Sequence, residues 1–88
     1  MSDMNICDRL SFADASKRDL WALEASGDYA ADCETGEEAG RELADYMRSE
    51  GAPMVLGHVL RAMVARGQFS GVEVGFAHSI ASAIGQTA

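Results

Sequence analysis

At 88 residues, with 48% hydrophobic and 24% charged side chains, the chain suits one compact domain over 1–88 and lies outside the composition of disordered polymers. Its formal net charge of −7 opposes direct contact with nucleic-acid phosphate or anionic lipid. No apolar run approaches the ~18 residues of a membrane span, and Asp3, Asp8 and Arg9 interrupt the first ten residues, so neither a membrane segment nor a signal peptide is expected.

The first elements are the hardest to read. Met4, Ile6 and Leu10 suggest a short leading helical segment. Ser11 with Asp14, and Ser16 with Asp19, are two overlapping start signals of the capping-box type, and they predict a helix ending near Ser26. On such a helix Leu20 and Leu23 point one way and the single tryptophan, Trp21, nearly opposite. Trp21 is then either a core residue or an exposed anchor for a partner.

From residue 28 the signals sharpen. Tyr29, Cys33, Gly36, Gly40, Leu43 and Met47 recur at alternating spacings of four and three, the pattern of a packed helical seam. One long helix over 28–50 is expected, capped by Asp28 and ended by Gly51. Glu37, Glu38, Arg41, Glu42, Asp45 and Arg48 would form its wet face, with Glu37 placed to pair Arg41. Gly36 and Gly40 each cost about 1 kcal/mol relative to alanine in a helix interior. A break near Thr35, where Thr35 and Glu38 offer a further capping box, is the alternative.

Pro53 at a first helical position and Gly67 as a left-handed stop bracket a helix over 53–66. Val55, Leu56, Val59, Leu60, Met63 and Val64 spread over about half its circumference, wider than a surface helix needs. A last helix over 71–84 opens on a capping box from Ser70 to Glu73 and is expected to stop at Gly85. Val72, Phe76, Ile80, Ala83 and Ile84 form its main apolar face. Gly71, Gly75 and Ser79 make a row of small side chains beside it, suited to close packing on the preceding helix or on a second chain. The expected fold is therefore all-α, a small bundle of about four helices.

No arrangement for chemistry emerges. Cys7, Cys33, His58 and His78 are isolated from one another, without the paired spacing of a zinc site. Neither histidine comes with a local signature for a nucleophile and an orienting group. The carboxylates of the 28–50 segment alternate with arginines on a predicted wet face, where acid–base pairs are rarely tuned. With no strand expected, no glycine loop cradles a phosphate. The 53–66 and 71–84 pair has the outline of a helix-turn-helix, but the second helix offers no basic residue to a base edge. No catalytic activity, cofactor, metal or direct nucleic-acid binding is expected. Two cysteines without a CxxC spacing fit a reducing cytoplasm.

Charge distribution gives the remaining clue. Residues 1–50 carry thirteen acids and five bases, whereas residues 51–88 carry Glu73 against Arg61 and Arg66. A neutral, apolar second half beside an acidic first half predicts a small protein-protein interaction or regulatory module that self-associates as a homodimer. The candidate interface residues are Trp21, Val55, Val59, Gly71, Val74, Gly75 and Ser79. The alternative is an acidic inhibitor that imitates nucleic-acid charge and occupies a basic groove of a partner protein.

Overall fold

The computed structural model describes residues 9–86. Three α-helices account for most of them: α1 over Tyr29–Glu50, α2 over Val55–Arg66 and α3 over Gly71–Gln86. Among the described residues there is no strand, and a lone bridge pairs Asp14 with Asp19. The fold is all-α, and no described helix is long and apolar enough to cross a membrane.

α1 is one unbroken helix of 22 residues, about 33 Å long at 1.5 Å per residue. The Asp28 side chain accepts from the Ala31 N–H at its start, and Gly51, at φ 61°, turns the chain left-handed at its end. The two interior glycines are tolerated because α3 packs directly on them. α2 begins at Val55, two residues later than its proline suggests. Val55, Leu56 and Gly57 donate three residues back to Ala52, Pro53 and Met54, so Pro53 sits in a tight lead-in turn rather than in the helix. Gly67, at φ 76°, ends α2 as expected. Gly85 does not end α3, which runs on to Gln86. A stop of this kind requires left-handed backbone, and Gly85 does not adopt it.

The helix expected to end near Ser26 does not form. The described part of the first quarter holds only a 3-10 turn over Ala15–Lys17, followed by an extended run to Ser26. Side chains read as helix caps are engaged elsewhere. The Asp14 carboxylate accepts from the N–H and hydroxyl of Ser16, Asp19 accepts from the Trp21 N–H, and Ser11 donates to Glu42 on α1. Such local side-chain bonds compete with helix, and here they win. Arg18 takes the left-handed conformation, φ 52°, and closes the turn. The leading segment at Met4 and Ile6 lies outside the described residues; its third member, Leu10, is buried.

Because Glu42 receives both the N–H and the hydroxyl of Ser11, it anchors the N-terminal segment rather than facing water. Glu37 reaches His78 at 3.5 Å. Replacing Glu42 by alanine should lower stability by roughly 1–2 kcal/mol, and the same change at exposed Glu38 by less than about 0.5 kcal/mol. Paired denaturant titrations check this; equal midpoints would remove Glu42 from the fold's supports.

The core is assembled from all parts of the chain. Leu10, Phe12 and Trp21 pack with Ala39 and Leu43 of α1, Val55, Val59 and Met63 of α2, and Val72, Phe76 and Ile80 of α3. Trp21 lies at the centre, edge-on to Phe76 at 4.8 Å between ring centroids and tilted against Phe12 at 5.5 Å. Among the helices, close backbone approach is confined almost entirely to α1 and α3, and glycine is the reason. A β-carbon at Gly36 would collide with the Val72 carbonyl, and one at Gly75 with the Cys33 carbonyl. The row Gly71, Gly75 and Ser79 therefore packs on α1, across the chain, and not on the preceding helix. Cys33 is a free, half-buried thiol in that contact.

Candidate interaction surface

The turn between α2 and α3 is fixed by a buried carboxylate. Glu73 is 6% exposed, and both its oxygens are fully engaged. One accepts the N–H and hydroxyl of Ser70, each at 2.7 Å. The other accepts the Trp21 indole N–H at 2.7 Å and the Gln68 amide at 2.9 Å. Burial pushes the carboxyl pKa up, but these donors outweigh it, the Ser70 hydroxyl, Trp21 and Gln68 foremost, and hold the pKa at about 2. The expected capping box is thus present and is extended by tryptophan and glutamine. Gln68 also donates to the Leu23 carbonyl, and Arg66 donates to that of Trp21, so the extended run is stitched to the α2–α3 turn.

A second buried carboxylate, Asp32, accepts the N–H and hydroxyl of Ser26. These hydrogen bonds lower its pKa. Together the two acids hold the extended run against the ends of α1 and α3.

With residues 14–24 over one side of α2, at Ala62, Ala65 and Arg66, the described residues leave the other side open. Two shallow apolar hollows lie there. Tyr29, Met63, Phe69, Val74 and Ala77 line one near the turn, and Met47, Pro53, Leu56, Ile80 and Ile84 line the other at the far end. Phe69 is 79% exposed, Val64 68%, Tyr29 and Ile84 63% each, and Val74 51%. Leu60 is exposed as well, and at 100° per residue it and Val64 flank the Leu56 and Met63 side of α2.

This surface differs from the one drawn from the sequence. Trp21, Val55, Val59, Gly71, Gly75 and Ser79 are all buried within the chain; of the seven candidates only Val74 is exposed. Trp21 is core, because the extended run carries it inward to Phe76 and Glu73. Val55 and Val59 occupy the inner edge of α2's broad apolar arc, and the outer edge is Leu60 and Val64. The breadth of that arc was legible, but its phase against the rest of the fold was not. Phe69, in a turn, carried no periodic signal at all.

A second cleft, between α1 and α3, is polar. Glu37, Arg41, Asp45, Arg48, His78, Ser79 and Ser82 line it. Its charges are mixed, and the His78 ring is paired with Glu37 but receives no hydroxyl from Ser79 or Ser82. The ring is thus not joined to a nucleophile. His58 is exposed on α2, far in sequence from the other groups with ligating chemistry. Among the described residues no group of three or more His, Cys, Asp or Glu is placed to hold a metal ion. No family model, curated protein or solved structure matches this chain.

Proposed function

We propose that this chain is a small, non-catalytic protein-interaction module of the cytoplasm, and that the open side of α2 and α3 is its binding face. The observation that carries the reading is the concentration of large exposed apolar side chains on two consecutive helices and the turn between them, Leu60 and Val64 on α2, Phe69 in the turn and Val74 on α3. A monomeric domain of this size gains nothing by leaving so much apolar surface in water, and such patches are characteristic of contact sites. The segregation of acids to residues 1–50 supports the same reading, since it keeps repulsive charge off the apolar face. Two cysteines without a CxxC spacing support a reducing compartment.

The competing reading, an acidic imitation of nucleic acid, draws on the exposed Glu34, Glu38, Asp45 and Glu50 of α1, but exposed Arg41 and Arg48 interrupt that row. Salt and substitution separate the two. In affinity capture from the source cells, a partner of the apolar face should survive about 0.5 M salt, where charge contacts are screened within a few ångströms. The same partner should be lost by the triple variant Leu60→Asp, Val64→Asp, Phe69→Asp, whose sites are exposed and leave the core intact. A partner that ignores the triple variant, yet is lost in salt and on reversing Glu34 and Glu38 to lysine, would establish charge mimicry instead.

A further inference from the structure

Val74, Ala77, Ala81 and Ile84 are all exposed on α3, and their spacings of three, four and three make them one straight seam on the helix surface. The main core face, Val72, Phe76 and Ile80, and the glycine row against α1 lie on other sides of the same helix. α3 therefore carries three packing faces, and among the described residues the third remains exposed.

Resting on the interaction-module reading above, we propose that the occupant of this third face is a second copy of the chain, with the two α3 helices antiparallel about a two-fold axis level with residue 79. The register follows from the spacing. A two-fold contact must use the same patch on both partners, and about residue 79 the seam maps onto itself, with Val74 opposite Ile84 and Ala77 opposite Ala81. The two alanine positions at the centre let the helices approach closely, and the larger side chains close the ends. Leu60 and Val64 of α2 and Phe69 of the turn would flank the seam, so that the α2–α3 pairs of two copies form a four-helix layer.

Area and charge both suit this occupant. The exposed parts of Tyr29, Leu60, Val64, Phe69, Val74 and Ile84 amount, if wholly covered, to roughly 700 Å², within the range of one partner's share of a standard stable interface. After residue 50 the only acid is Glu73, which is buried and bonded to its own chain. α2 and α3 thus bring no exposed carboxylate of their own to this face of a molecule with net charge −7, whereas α1 against α1 would set acidic rows against each other.

Sedimentation of the full chain between about 1 and 200 μM should give a mass near twice 9.3 kDa, dissociating at the low end. The variant Ala77→Glu, Ala81→Glu puts four acids on the axis and should weaken the dimer at least about 100-fold with helicity unchanged. Mixing it with Ala77→Lys, Ala81→Lys should restore a mixed dimer, because position 77 of each chain meets 81 of the other. A wild-type chain that stays monomeric throughout the range, or a dimer indifferent to both double variants, overturns the proposal. If that monomer still loses a captured partner through the triple variant above, self-pairing falls while the interaction-module reading stands.

Discussion

Alanine at Gly36 or at Gly75 is expected to cost at least about 3 kcal/mol and to lower the melting temperature by roughly 15–25 °C. For a domain of this length total stability is on the order of 4–13 kcal/mol, so either change removes a large part of it. The reason is what the methyl group meets. At Gly36 it meets the Val72 carbonyl and at Gly75 the Cys33 carbonyl, both main-chain atoms of the opposite helix. A side chain in the way can rotate, but a helical carbonyl moves only if the whole helix moves. Shifting α3 off α1 would also drag Val72 and Phe76 out of contact with Leu43 and Trp21. Gly57 supplies the internal control. It lies on the exposed side of α2 with no atom near its absent β-carbon, and alanine there should stabilise by about 0.5–1 kcal/mol through helix propensity alone. Thermal melts followed by circular dichroism read all three variants. Melting of the Gly36 variant within about 3 °C of the parent would mean that α1 and α3 do not approach as described.

This contrast also marks how far the sequence could be read. Asp28, Gly51, Gly67 and the Ser70–Glu73 box act over one helical turn, so each could be recognised without knowing what else the chain does. The seam from Tyr29 to Met47 and the small row Gly71, Gly75, Ser79 were visible as periodic features. That they face each other could not be read, because spacing within a helix carries no information about the partner 36 to 42 residues away. The first quarter failed for the opposite reason. Ser11, Asp14, Ser16 and Asp19 have the chemistry of helix caps, but the same short side chains also close turns and reach other elements. Which use prevails depended on Glu42 and on the burial of Trp21, both settled by tertiary packing. The candidate surface suffered likewise: the apolar excess of α2 was apparent, yet inner and outer edges of a half-circumference arc are distinguished only once α1 and the N-terminal segment are in place.

Trp21 and Glu73, 52 residues apart, are joined by a hydrogen bond that no local pattern announces, and this bond should make the protein acid-sensitive in a particular way. In the folded chain the Glu73 pKa is about 2 against 4.5 for the free side chain. A depressed folded-state pKa contributes stability above the unfolded value, and that contribution is lost as pH falls from about 5 toward 2. At 1.36 kcal/mol per unit the amount at stake is about 3 kcal/mol. Glu73→Gln is the corresponding variant. It has nearly the same shape, but one of its two oxygens becomes an NH₂ group facing either the Trp21 and Gln68 donors or those of Ser70. Two buried donors then oppose another donor, at a cost of roughly 2–4 kcal/mol near neutral pH. Urea titrations followed by the fluorescence of Trp21, the only tryptophan, should show the two proteins far apart at pH 7 and converging toward pH 2, because the parent loses what the variant never had. Both proteins share every other carboxylate, so the narrowing gap isolates Glu73. A constant gap between pH 7 and pH 2 would mean that Glu73 keeps an ordinary pKa, and the charged hydrogen-bond hub would not then be what holds the α2–α3 turn to the core.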